Sequence, residues 1–383
     1  MKEIAITTNW WNDFFCTGGE CPYTCCGGWN ISVTDEEIAI YRRMQSNIPG
    51  IMEHIDVLSH GMRQKNGHCT LLTEDGWCSL VRRYGEASIC ATCQLFPRGA
   101  REYGNVIEKS VVISCPVVAQ YLLDDAGLLL LSEDEFSIED FTDEVYKCQY
   151  IIRDYILSLL ADRNKNIAGK IYITLKLASW TKNAMEQGIL NTKSAYDEVM
   201  RWYSLQNATC DELAVCREDY SLKSRMLGIF FSLYESGLKE WISADRYKER
   251  FVPYIFDDIV GWRDDGEALI RDMRRIDKYL SEKHPRFITT YLEQMVFMSF
   301  TARDGQEYYH DFFFRYIELM IIRLFIMSNE RHSVNMSDSD LSAVIAYADR
   351  KLYYNDEPRR FISQSIKEIE SGGNLDIFYF PAY

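Results

Sequence analysis

The chain has 383 residues, 47% of them apolar, with 57 acidic against 42 basic side chains and a formal net charge of −15. That length supplies a large core and points to two lobes. The charge argues against nucleic acid and anionic membrane as partners; it would attract a lysine-bearing protein surface, and by itself it is also what plain solubility requires.

No stretch approaches ~18 uncharged apolar residues, so no transmembrane helix is expected. The best candidate, residues 312–327, carries Arg315, Glu318 and Arg323. The opening MKEIAITTNWWND lacks the apolar core of a signal peptide, which makes the cytosol the expected compartment.

Residues 1–130 read as a cysteine-rich lobe and 131–383 as a helical domain. The first part is punctuated by Gly and Pro in CTGGECP, CCGGW, NGHC, EDGWC, LFPRG and SCPV, which leaves room only for short elements. A helix is expected at 34–46, with Thr34 as N-cap and Glu37 reaching back to it. NVIEKSVVIS reads as a strand or hairpin arm. Then SEDEFSIEDFTDE, residues 132–144, sets seven acidic residues and no basic one at the boundary and leads into a helix.

From 138 to 370 the apolar residues recur every three or four positions, beginning with Val145, Cys148, Ile152, Tyr155, Ile156, Leu159 and Leu160. Further helices are expected over 168–188, 192–206, 219–237, 245–262, 266–283, 287–303, 307–328, 338–354 and 358–371. Pro285 separates two of them, Gly237 suits a C-cap, and Ser337 with Asp340 makes a capping box. The 307–328 segment is apolar nearly all round, as befits the middle of a bundle. The predicted class is therefore mainly α, a small irregular cysteine-rich metal-binding lobe packed on an all-α lobe.

Nine of the 12 cysteines lie in the first 115 residues, spaced Cys16-x4-Cys21-x3-Cys25-Cys26, then Cys69-x8-Cys78-x11-Cys90-x2-Cys93-x21-Cys115. In a cytosolic chain this density argues for metal over disulfides. Only Cys90-x2-Cys93 has zinc-knuckle spacing, so a simple ribbon is disfavoured. Irregular thiolates suit an iron–sulfur cluster, and soft sulfur ligands suit zinc as well. Successive side chains diverge, so Cys25 and Cys26 suit different metal atoms better than one, and Gly27 and Gly28 let backbone approach closely. Cys148, on the apolar stripe, reads as core, while Cys210 and Cys216 are scattered.

The segments FFCTGGECPYTCCGGWNISV, HCTLLTEDGWC, GEASICATCQLFPR and SCPVVAQYL, covering about residues 14–122, resemble the flagellin lysine-N-methylases of the CxxCxxCC cysteine-cluster group. The resemblance implies a cytoplasmic enzyme that methylates flagellin lysines with S-adenosylmethionine and carries one [4Fe-4S] cluster, or two. It maps the metal ligands onto Cys16, Cys21, Cys25, Cys26, Cys69, Cys78, Cys93 and Cys115. Cys90 stands at a serine-like position outside the pattern. Gly28-Trp29 and Phe96-Pro97-Arg98 match flanking residues. The chain departs from the radical S-adenosylmethionine signature, because Cys26 follows Cys21-x3-Cys25 at once, and it has no G-x-G-x-x-G turn.

Methyl transfer to lysine needs a neutral amine, and so a group that takes the ammonium proton. Asp311, Glu318, Tyr308 and Tyr309 are the candidates, against a structural Asp311–Arg315 ion pair. Gly27, Gly28 and Arg98 are candidates for cofactor contact; Arg98 offers a fork for the cofactor carboxylate or a cap for a loop. The cofactor is expected where the two lobes meet. The competing reading is a non-catalytic zinc or iron–sulfur cysteine module carrying a helical interaction domain.

Overall fold

The computed structural model describes residues 4–132, 135–216, 231, 237, 239–244, 247–298, 304–332 and 336–371. It opens with β1 (Ile4–Thr8), whose alternate residues Ile4, Ile6 and Thr8 are buried, and α1 (Asn9–Asp13). Next come α2 (Asp35–Arg43), α3 (Ser79–Tyr84) and α4 (Ala91–Leu95), joined by loops and by two-residue ladders at Ile55–Asp56 with Gly61–Met62 and Gln64–Lys65 with His68–Cys69. The Thr34–Glu37 capping box at the start of α2 forms as the sequence predicts.

A hairpin of β2 (Arg98–Tyr103) and β3 (Val106–Val111) follows, then α5 (Pro116–Tyr121) and β4 (Leu130–Ser132). Gly104, with φ +72°, supplies the left-handed residue that the hairpin turn needs. The sheet order is β2-β3-β1-β4. β1 runs parallel to β3, with Ile4 opposite Val106, and the other pairs are antiparallel. The mainly helical class is as expected; this four-stranded sheet, gathered from strands about a hundred residues apart, is more regular than the irregular lobe expected.

The helical part comprises α6 (Glu144–Ala161), α7 (Ile167–Glu186), α8 (Thr192–Cys216), α9 (Lys239–Ala244), α10 (Lys248–Phe251), α11 (Ile255–Asp264), α12 (Gly266–Lys283), α13 (Phe287–Met298), α14 (Gly305–Arg331), α15 (Asp338–Leu352) and α16 (Asp356–Ser371). The stripe expected as one helix over 245–262 is two, because Pro253 has no N–H to continue α10. The helix expected over 219–237, with its Gly237 C-cap, lies almost wholly outside the described residues.

α14 is the central rod. Phe313, Ile317, Leu319, Ile322 and Ile326 are fully buried, and α7, α11, α12, α13, α15 and α16 pack around it. Two structures position the cysteines. The main core is continuous from Trp10, Phe14, Tyr23, Val111 and Val118 into the helices, so the sheet and the bundle share one apolar interior. A smaller core of Ile31, Val33, Ile38, Tyr41, Ile48, Ile51 and Ile55 lies under the Cys69 and Cys90 loops. At the seam, Arg153 of α6 donates from both Nη1 (2.8 Å) and Nη2 to the Glu108 carboxylate of β3, and both side chains are buried. Cys148 is buried in the main core, as its stripe predicts.

Candidate metal centre

None of the nine N-terminal cysteines is in a disulfide. Two local devices bring some of them into pairs. The turn through CPYTCC sets Cys25 and Cys26 close enough for each to shift the titration of the other. The start of α4 sets Cys90, its N-cap, beside Cys93 in the same way. Contact with Cys25 brings the Cys26 thiol down to about 6 while the same contact raises Cys25; contact with Cys93 brings Cys90 down to about 7 and raises Cys93.

Burial pushes the other thiols up: Cys69 to about 11, Cys115 to about 12, and Cys21 and Cys78 also upward. Cys16 is exposed, and its sulfur accepts from the Gly18 N–H at 3.4 Å.

Two neighbourhoods emerge. Cys69, Cys78, Cys90 and Cys93 stand over the smaller core with Cys26, and the Cys69 N–H donates to Cys26 O at 2.7 Å. Cys69 and Cys78 both feel the charge of Cys90. Cys90, set aside on the family pattern, therefore sits among the predicted ligands, and its C-x2-C spacing was the signal for it. Cys21, Cys25 and Cys115 face the charge of Arg350, which favours their thiolates, and Cys26 feels it too, so Cys26 belongs to both groups. Arg350 is a residue that sequence reasoning did not single out.

Among the described residues no three Cys, His, Asp or Glu side chains are already grouped as a metal cage. The donor chemistry nonetheless suits a thiolate-bound metal: unpaired thiols, two of them shifted toward thiolate, with a guanidinium nearby.

The remaining candidates separate. Gly27 bridges to His68, and the Gly28 N–H donates to Gly67 O at 3.2 Å, so both belong to the cysteine loops. Arg98 takes its loop-capping role: Nη2 donates to Phe14 O at 3.0 Å, and the guanidinium lies 4.9 Å from the Phe14 ring centroid.

Glu318 is fully buried and accepts from Arg315 Nη1 (2.6 Å) and Tyr291 OH (2.8 Å); the same Nη1 reaches Asp349 Oδ1 at 2.8 Å. Burial, with Asp349 close by, pushes Glu318 up to about 8. Arg315 thus pairs with Glu318 and Asp349, not with Asp311 as the sequence suggested; Asp311 faces Arg359 at 3.5 Å. Tyr308 and Tyr309 are buried.

Of the four, Asp311 reaches a cavity, about 290 Å³, with Asp304, Glu307, His310, Arg359 and Lys367 among its lining. A second cavity of about 190 Å³ lies at the seam between sheet and helices, bounded by Arg101, Glu108, Ser110, Phe297, Met298 and Tyr354.

A mainly helical protein whose N-terminal part gathers cysteine loops against the bundle is the class defined by this geometry. The chain is related to the lysine-N-methylases, the family its cysteine pattern resembles. Proteins named lysine-N-methylase from Salmonella choleraesuis (strain SC-B67) and Salmonella typhimurium (strain LT2) are each 27% identical over 195 residues, 48% of this chain and 49% of the relative. A protein named flagellar biosynthetic protein FliU from Salmonella muenchen is 28% identical over 147 residues, 35% of this chain and 85% of that protein. The chain spans about half the length of the two lysine-N-methylases it matches. No family model matches it, and no solved structure does. Among the described residues no helix is long and apolar enough to cross a membrane.

Proposed function

We propose that the chain is an S-adenosylmethionine-dependent protein-lysine N-methyltransferase acting on flagellin, with its cysteines holding a [4Fe-4S] cluster. The observation that carries this reading is the likeness to two proteins named lysine-N-methylase. The flagellar name of a third relative supports flagellin as the substrate. The thiol set supports the cluster: Cys26, Cys69, Cys78, Cys90 and Cys93 pack on the smaller core, and Cys21, Cys25, Cys26 and Cys115 feel the Arg350 charge. Bound by these thiolates, the cluster would supply redox-active or Lewis-acidic chemistry.

The chain's own residues would bind and orient. The seam cavity is smaller than ordinary ligand pockets of ~300–1,000 Å³, so it would take one arm of the cofactor. In the cavity of about 290 Å³, the Asp304, Glu307 and Asp311 carboxylates, set beside Arg359 and Lys367, would meet a lysine ammonium, and Asp311 would accept its proton. Glu318 is held too deep to meet substrate and serves the fold.

The test is mass spectrometry of flagellin lysines from cells with and without the gene, beside iron, sulfide and zinc analysis of anaerobically purified protein. Methylated lysines that disappear with the gene, and iron with sulfide in the protein, support the reading. Unchanged flagellin with stoichiometric zinc would favour the non-catalytic module.

A further inference from the structure

Arg350 sits near the end of α15, in the sequence ADRKLYY, where a charged pair looks like an ordinary solvated face. Its guanidinium does something else. Nε donates to Ser114 O at 2.8 Å, Nη1 to Thr24 O at 2.8 Å and Nη2 to Tyr23 O at 3.1 Å. These carbonyls lie more than two hundred residues away in sequence. Thr24 immediately precedes Cys25, and Ser114 immediately precedes Cys115.

The neighbouring residue reinforces the contact. Asp349 accepts from Ser114 Oγ at 2.7 Å and is itself held by Arg315 in the bundle interior. The Tyr23 ring lies under the Arg350 guanidinium at 4.0 Å, wedged edge-on against Tyr247, Phe251 and Tyr347 of the helical part. The Thr24 hydroxyl in turn accepts from the Cys26 N–H at 3.1 Å. One planar fork therefore spans two cysteine-bearing segments, a task that a point-like ammonium cannot copy.

We propose that Arg350 is a positioning residue: it clamps the Cys25–Cys26 turn and the Cys115 segment to α15, so that these thiols keep their mutual placement only while the helix is docked. The clamp stands on geometry alone. Its consequence for a bound centre, a fixed positive charge facing thiolate ligands, rests on the metal reading proposed above.

The test is site-resolved alkylation of the reduced, metal-free full-length chain with iodoacetamide, followed by mass spectrometry of each cysteine. In Arg350→Gln, labelling of Cys25, Cys26 and Cys115 is expected to quicken roughly tenfold, because losing charge-assisted hydrogen bonds raises the locally open population by at least that factor. Cys69, Cys90, Cys148 and Cys210 keep their rates. Arg350→Lys, which retains the charge but not the fork, falls between.

Unchanged labelling at Cys25 and Cys115 in both Arg350→Gln and the charge-retaining Arg350→Lys overturns the clamp. An equal rise at Cys148 and Cys210 also overturns it, because Arg350 would then support the whole fold. Iron and sulfide content after anaerobic reconstitution is measured on the same proteins. Wild type that takes up no iron refutes the metal reading, while the labelling pattern still decides the clamp.

Discussion

The Arg153–Glu108 pair joins the first helix of the bundle to the sheet, and its removal makes a sharp prediction. Both side chains are almost wholly buried, at 1% and 3% exposure. The guanidinium meets the carboxylate with both terminal nitrogens, reaches Phe297 O at 3.4 Å and lies 4.9 Å from the Phe297 ring centroid. Arg153→Met keeps most of the volume but strands Glu108 in an apolar interior. Breaking a buried pair from one side costs roughly 3–5 kcal/mol, whereas replacing both partners by apolar groups is often close to neutral.

Urea unfolding of reduced, metal-free protein, followed by tryptophan fluorescence and circular dichroism, measures this. Arg153→Met is expected to lose about 3–5 kcal/mol, and Arg153→Met with Glu108→Leu to recover most of it. A single substitution costing less than about 1 kcal/mol would refute the reasoning, since such a small value belongs to exposed pairs. So would a double variant no better than the single one.

Three further outcomes follow from the same geometry. Glu318, pushed up to about 8 by burial and by the nearby Asp349 carboxylate against the opposing pull of Arg315, holds its proton in the fold where the unfolded chain has lost it. Wild type should therefore lose stability as pH rises from about 4.5 to 8 relative to Glu318→Gln, in parallel denaturation curves; parallel pH profiles would remove that proton from the account. Gly169→Ala places a Cβ 2.4 Å from Cys210 Sγ and 2.7 Å from Cys210 Cα, so α7 and α8 must separate. A loss of about 1–3 kcal/mol is expected, and Cys210→Ala should not restore it because the backbone atom remains. Cys25→Ser and Cys26→Ser should lower metal content unequally, since Cys26 also packs on the smaller core that carries Cys69 and Cys90; full metal in both variants would show that neither is a ligand.

What the sequence made legible was local. The capping boxes at Thr34 and Ser337 involve residues three apart, and both formed. α14 announced its burial by being apolar nearly all round, and Cys148 by its place on a stripe. β1 did not announce itself, because IAITT is five residues long and finds its parallel partner at Val106, about a hundred residues on.

Among the cysteines, density was legible in the sequence, while the packing of Cys90 with Cys69, Cys78 and Cys93 on one small core was not, because the family pattern was weighed above its knuckle spacing. Arg350 and Asp349 were invisible for a physical reason. A charged residue on a helix reads as solvated until tertiary structure supplies the carbonyls and hydroxyl it meets. Asp311 and Glu318 looked alike on one helix; burial separated them, placing one at a cavity and the other inside a closed polar network.

The most direct measurement is transfer of an isotopically labelled methyl group from S-adenosylmethionine to purified flagellin by the anaerobically prepared protein, read by mass spectrometry of lysine peptides. Label on flagellin lysines, lost when the metal is stripped or when Cys25 and Cys26 are both replaced by serine, is the result expected. No transfer from a preparation carrying its full complement of iron and sulfide would contradict the methyltransferase reading.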